Sequence, residues 1–299
     1  MNRALERVLL ATDSSRDAAL AARAAADICQ KSGAKLSVVH VWQATPSAHM
    51  RSFVRSSFKR LAQEKLDAEV QNLRNIGVSS VEPHLVEGKP ADGVLDLAEE
   101  LDADLIVLGS RGLGPVGRLA LGSVAEGVTY HAPCPVLVSR GGESSWPPGR
   151  VVFAYDGSQT SWEAAEAAAS LCADNGENGV EGLIVQAYPR LPEVDKEGRE
   201  SDARMVEDDM RLQEKALMQR AGELEAILGV RPKPRLAVGD AASRILEVAA
   251  EESPERTLVA LGSRGLGTVG RMTLGSVSAK TLRAAQGPVL VHPTSERPA

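Results

Sequence analysis

Aromatic side chains are scarce: three Phe, three Trp and three Tyr make up 3% of 299 residues. A core without them must be filled by Val, Leu, Ile and Ala, and hydrophobic residues reach 43%. That composition suits parallel strands covered by Ala-rich helices. Cysteine is scarcer still. Cys29, Cys134 and Cys172 are an odd number without metal-ligand spacing, each inside an apolar or Ala-rich segment, so they read as reduced core thiols. An excess of positive charge is also missing: the formal charge of −6 argues against nucleic acid or an anionic membrane as the principal partner. No apolar run is long enough to span a bilayer, and the chain enters strand-like Arg7 to Ala11 almost at once. Neither export nor membrane insertion is expected, and the expected location is the cytoplasm.

What the chain does have is glycine, and it has it twice in the same arrangement. Leu108 to Val124 reads LGSRGLGPVGRLALGSV and Leu261 to Val277 reads LGSRGLGTVGRMTLGSV; of 17 positions, 3 differ (Pro115/Thr268, Leu119/Met272 and Ala120/Thr273) and 14 are identical. Each copy follows an apolar run and precedes a small-residue helical pattern, giving strand, loop, helix. Glycine lets backbone amides approach a ligand without a Cβ in the way, and amides at a helix start favour negatively charged oxygens. A tight strand-to-helix turn is the structural alternative.

Three patterns compete for this stretch. Gly112, Gly114 and Gly117, like Gly265, Gly267 and Gly270, match G-x-G-x-x-G. A dinucleotide fingerprint, however, opens the first strand-helix unit and has an acid about 20 residues on. Here the motif follows the fourth apolar run of its half, and Pro135 to Val138 and Pro288 to Val291 carry no acid. A Walker A loop is rejected because its Lys is missing. The third pattern, G-x2-G-x9-G-[ST], is matched by Gly109, Gly112, Gly122 and Ser123, and again by Gly262, Gly265, Gly275 and Ser276. It resembles the nucleotide-binding branch of the universal stress protein family.

The order of elements agrees with that resemblance. In the first half, Arg7 to Thr12, Lys35 to Trp42, Val81 to Glu87, the run ending at Leu108, and Pro135 to Val138 read as strands. Between them lie an Ala-rich helix from Asp17 to Ser32, an irregular or weakly helical segment from Gln43 to Phe58, and an amphipathic helix from Lys59 to Ile76. A helix from Pro90 to about Leu101 and another from Ser123 to His131 follow. The second half repeats this series. Its strands are Val151 to Tyr155, Gly182 to Tyr188, Arg235 to Val238, the run ending at Leu261, and Pro288 to Val291; its helices include Trp162 to Ala173, Met205 to Leu228 and Ser276 to Ala285. Gly141 to Gly149, rich in Gly, Ser and Pro, reads as a linker between residues 1–140 and 150–299. The expected fold is α/β: two tandem doubly wound, Rossmann-like domains, each a five-stranded parallel sheet with helices on both faces. The short apolar last strands invite pairing. An intrachain pseudo-dimer is expected, with a homodimer as a further arrangement.

Asp13 and Asp156 fall at the carboxyl ends of the first strands, the edge at which open α/β sheets bind ligands. Each is a turn or capping residue, or a carboxylate that accepts from a nucleoside's amino or hydroxyl groups. The resemblance implies the second role, and implies main-chain contacts to adenine at Val41 and Ala187. It also places phosphates at the amides of Gly109, Gly112, Gly122, Ser123 and Val124, and of Gly262, Gly265, Gly275, Ser276 and Val277. Arg111 and Arg264, with Arg118 and Arg271, are either phosphate partners or exposed charge. The implied ligand is ATP or another adenine nucleotide, with or without Mg²⁺. His40 reads as a satisfied strand residue. No paired carboxylates, His/Cys metal cluster or nucleophile with its base is present, so no catalytic residue is assigned. The expected role is regulatory or sensory, in stress adaptation. A slow ATP-hydrolysing or nucleotide-transferring enzyme, and an interaction module that binds no nucleotide, are the competing readings.

Overall fold

The computed structural model describes residues 5–43, 52–112, 121–142, 146–173, 179–189, 199–265 and 274–294. The first half runs β1 (Arg7–Ala11), α1 (Arg16–Ser32), β2 (Lys35–Trp42), α2 (Ser52–Asn75), β3 (Val81–Glu87), α3 (Pro90–Glu100), β4 (Leu105–Gly109), α4 (Ser123–His131) and β5 (Val136–Ser139). The second repeats it as β6 (Arg150–Ala154), α5 (Gln159–Cys172), β7 (Glu181–Tyr188), α6 (Arg199–Leu228), β8 (Lys233–Val238), α7 (Ala241–Ala250), β9 (Thr257–Gly262), α8 (Ser276–Ala284) and β10 (Val289–His292).

Within each half every strand pairing is parallel, in the orders β3-β2-β1-β4-β5 and β8-β7-β6-β9-β10. The expected pair of five-stranded sheets is joined into one ten-stranded sheet by a single antiparallel seam, with Val138 opposite Val289, Leu137 opposite Leu290 and Val136 opposite Val291. The reason is local. VLVS and VLVH are four-residue apolar strands, and an apolar edge left open exposes unpaired backbone groups. The outer edges are protected differently: Pro83 in β3 and Pro234 in β8 each remove a ladder donor.

Two apolar layers lie on opposite faces of the sheet, and each draws residues from both halves. One gathers Leu10, Leu66, Leu73 and Leu137 with Phe153, Leu217 and Leu290. The other gathers Val94, Val128 and Val138 with Leu183, Leu282 and Val289. Alanines at positions 21, 22, 24, 25 and 26 keep α1 close to the sheet without large side chains. Two helices begin earlier than the sequence periodicity indicates: α2 at Ser52 rather than Lys59, and α6 at Arg199 rather than Met205. The first turns of α2 place Phe53, Val54 and Phe58 among Ser and Arg, and those of α6, RESDAR, are charged and polar. They are continuations of a packed helix, held in α2 by the Arg55–Glu87 pair at 2.7 Å. No helix among the described residues is long and apolar enough to cross a membrane.

All three cysteines are buried. Desolvation pushes the thiols of Cys29 and Cys172 up to about 12. Since the thiolate is the reactive form, the native chain is expected to resist Ellman's reagent at mildly alkaline pH, and to titrate three thiols once denatured. Rapid labelling of the native chain would contradict the burial of these helices.

Candidate nucleotide-binding cleft

In the order β3-β2-β1-β4-β5 the chain leaves β1 toward β2 and leaves β4 toward β5, so the carboxyl ends of β1 and β4 diverge and leave a crevice. A cleft of about 280 Å³ opens there. Eight residues singled out in the first half line it: Asp13, Val41, Gly109, Arg111, Gly112, Gly122, Ser123 and Val124. Pro90, Val94 and Leu108 add apolar wall. In sequence Pro90 and Leu108 mark only a helix start and a strand end, with Val94 inside that helix, and their place at a binding surface has no separate sequence signal.

Two glycines are required by close approach rather than by unusual backbone. A Cβ on Gly109 would stand 2.6 Å from the Asp17 carbonyl carbon and 2.7 Å from the Ala18 nitrogen, so β4 meets the first turn of α1 only as glycine. A Cβ on Gly112 would stand 2.3 Å from Asp13 Oδ2. The Asp13 carboxylate therefore lies directly against the glycine loop, with Oδ1 accepting from Ser15 N at 2.9 Å. Gly122 N donates to Ser110 O at 2.8 Å, which brings the two ends of the loop together and starts α4 beside Arg111. Ser15 caps α1 through its side chain, whereas Gly122 gives α4 no side-chain cap. The first amides of α4 thus face the cleft with the positive end of the helix dipole.

Sequence reasoning missed Asp17. Its side chain is about 10% exposed and accepts from Ser110 Oγ at 2.6 Å and Arg111 Nε at 3.1 Å. It reads in sequence as an ordinary first-turn acid, and nothing local announces a partner 94 residues away. Ser15 Oγ also donates to Arg111 O at 3.1 Å, so backbone and side chain of Arg111 are both tied to α1. Nearby, Arg140 is buried and its guanidinium is lowered to about 10, first by desolvation and then by the positive charge of Arg111, with Asp17 opposing.

Beneath the cleft, His40 Nδ1 donates to Thr12 O at 2.9 Å, and burial lowers its pKa, so the neutral ring is a satisfied strand residue. Glu69 of α2 is also buried, and desolvation raises its carboxyl, with hydrogen bonds from Asn72 and Thr12 working the other way.

The second half repeats the glycine geometry. A Cβ on Gly265 would stand 2.1 Å from Asp156 Oδ2, and one on Gly262 would stand 2.9 Å from the Thr160 carbonyl carbon. Gly275 N donates to Ser263 O at 2.8 Å, and Ser276 and Val277 open α8 behind a glycine N-cap. The surroundings differ. Ala187 stands in β7 where Val41 stands in β2. Thr160 stands against Gly262 where Asp17 stands against Gly109, and Ser263 Oγ lies 3.2 Å from Thr294 Oγ1. Beneath the site, Tyr155 and Trp162 stack edge to face and Arg220 covers the Trp162 ring at 4.5 Å. At the start of α7, Asp240 accepts from Ser243 N and from Lys280 Nζ at 2.6 Å, which holds its carboxyl below the usual range. Arg118 and Arg271, and the glycines at 114, 117, 267 and 270, lie outside the described residues.

The profile of the universal stress protein family matches residues 4–140 and, a second time, residues 148–293. A universal stress protein of Thermus aquaticus is 42% identical over 135 residues, which are 44% of this chain and 97% of that protein. Among solved structures, a universal stress protein of Archaeoglobus fulgidus aligns over 96% of this chain and 98% of its own, with TM-score 0.67 and 23% identity. A functionally unknown protein of Pseudomonas aeruginosa aligns over 98% of this chain and 94% of its own, with TM-score 0.70 and 17% identity. At those identities the structural likeness speaks for the fold alone. The two successive sequence matches cover the two halves that repeat one fold, and the chain therefore belongs to the universal stress protein family as a tandem of two repeats.

Proposed function

We propose that this protein binds an adenine nucleotide, ATP, in each half, and that occupancy serves a regulatory or sensory role in stress adaptation. The observation that carries this reading is the convergence, in one cleft, of the Asp13 carboxylate, the glycine loop that grazes it, and the start of α4 without a side-chain cap. The cleft has an apolar wall for a planar base at Val41, Pro90 and Val94 and a polar end for phosphates, the division expected of a nucleotide site. Asp13 and the main chain at Val41 take the nucleoside; the amides of Gly109, Gly112, Gly122 and Val124, with Ser123 Oγ and Arg111, take the phosphates. In the second half Asp156 and Ala187, then Gly262, Arg264, Gly265, Gly275, Ser276 and Val277, have the corresponding roles. Residues 1–140 and 150–299 are the two binding units and 141–149 joins them.

No cluster of three metal-ligating side chains forms among the described residues. Mg²⁺ that enters with ATP is then carried by phosphates and water, as is usual for this ion at nucleotides. Since β5 and β10 already occupy each other, a homodimer would need a different surface.

Freshly purified protein, denatured and analysed by chromatography, is expected to release ATP at close to two per chain. Release of ADP would favour a hydrolase on the same fold. An empty chain that takes up no added ATP, with or without Mg²⁺, would sink the nucleotide reading and leave the loops as structural turns.

A further inference from the structure

The two glycine loops are joined by contacts that their near-identical sequences do not reveal. Glu126, in the first turn of α4, forms an ion pair with Arg283 in the last turn of α8. Arg140, one residue past β5, donates from Nη1 to the Ala285 carbonyl at 2.9 Å, just beyond the end of α8. Its guanidinium is buried, and Nε has no hydrogen-bond partner among the described residues. It also adjoins the first glycine loop, because Ser139 pairs with Gly109 and its carbonyl accepts from Ser110 N at 2.9 Å. Both contacts begin beside the first glycine loop, one in the first turn of α4 and the other next to the strand paired with Gly109. Both finish on the carboxyl end of the helix whose opposite end, Ser276, follows the second glycine loop.

Neither contact has a mirror image. The repeat offset of 153 puts Pro293 at the position of Arg140, Ala279 at that of Glu126 and Tyr130 at that of Arg283. The charged groups are therefore particular to the path through α8, although the coupling it carries must be reciprocal.

We propose that the two nucleotide sites are positively coupled through α8, with Glu126 and Arg140 as positioning residues for the second site. The inference rests on the nucleotide reading above. A polyphosphate at the start of α4 places negative charge beside Arg111 and Glu126. It offsets the like charge between Arg111 and Arg140, which favours the Arg140 cap on α8, and it drives Glu126 toward Arg283. Cations at a helix carboxyl end are stabilising, so both changes hold α8 more firmly. The amides at Ser276 and Val277 are then preorganised for the second ligand.

Titration calorimetry with ATP tests this through a comparison of products. In chains with one loop blocked by a bulky apolar side chain, Gly112→Leu or Gly265→Leu, the remaining site gives a single dissociation constant. Independent sites make the product of the two wild-type constants equal the product of these single-site constants; coupling makes the wild-type product smaller, here by about fivefold, the low end of usual allosteric effects. Glu126→Gln, at a carboxylate about 35% exposed, and Arg140→Met are each expected to bring the ratio toward one. Equal products in the wild type would overturn the coupling, and an undiminished ratio in both Glu126→Gln and Arg140→Met would overturn its route through α8, each while leaving two ATP sites in place. Failure of ATP to bind any of these chains would overturn the nucleotide reading itself.

Discussion

Gly112→Ala is expected to weaken ATP binding at the first site by tenfold or more while shifting Tm only slightly. The added methyl would stand 2.3 Å from Asp13 Oδ2, a separation no carbon and oxygen tolerate. The obstacle is the end of a side chain, so the carboxylate swings away and the backbone stays. Gly112 is not among the residues with positive φ, and alanine therefore brings no conformational strain of its own. Overpacking typically costs about 1–3 kcal/mol, and each 1.4 kcal/mol taken from binding is about a factor of ten. Here the cost falls on the ligand, because Asp13 leaves the position from which it meets the nucleoside. Gly109→Ala provides the contrast. Its methyl would meet main-chain atoms of Asp17 and Ala18, so α1 itself must move and stability falls along with binding. Calorimetry and thermal melting separate the two: Gly112→Ala with wild-type affinity, or with a Tm loss equal to that of Gly109→Ala, would remove Asp13 from the site.

That contrast shows where sequence reasoning reached and where it stopped. The repeat, the strand and helix order, and the glycine spacing are local patterns, and β2, β3 and α4 have the bounds their residues indicate. The loop and Asp13 were legible together because the end of the first strand and the end of the fourth are neighbours in any doubly wound sheet. Asp17 was not legible. Its role depends on Arg111 arriving from the far side of the half, and a first-turn acid has an adequate local explanation in the helix dipole. The same holds for Arg140, whose partner carbonyl is 145 residues away. The asymmetry of the halves was only partly visible. Val41 and Ala187 can be compared by eye, but the replacement of Asp17 by Thr160 matters only once Ser110 and Arg111 are known to depend on that position. Glu69 and Arg220 are equally hard to compare in sequence, since each answers to its own neighbours, Thr12 in one half and the Tyr155–Trp162 pair in the other.

The seam between the halves leads to the second large effect: Leu137→Asp is expected to unfold the whole chain rather than its first half alone. Leu137 is fully buried, lies between Val107 in β4 and Leu290 in β10, and belongs to an apolar layer that continues into Phe153, Ile184 and Leu217 of the second half. An aspartate there has no cationic partner among these side chains. Burying it unpaired costs several kcal/mol, charged or protonated, against a typical domain stability of about 5–15 kcal/mol. Because the layer is shared, the loss is felt on both sides of the seam. Buried Trp42 in β2 and half-buried Trp162 in α5 are natural probes of the two halves, and in the wild type both are expected to report one denaturant midpoint. In Leu137→Asp both are expected to report an unfolded chain before denaturant is added. Leu61→Asp, at a leucine about 51% exposed on α2, should leave both signals near wild type, since exposed substitutions usually stay within about 0.5 kcal/mol. A Leu137→Asp chain in which Trp162 keeps its native signal and midpoint would mean that the halves fold independently. The contacts through Arg140 and α8 would then have no common body to act in.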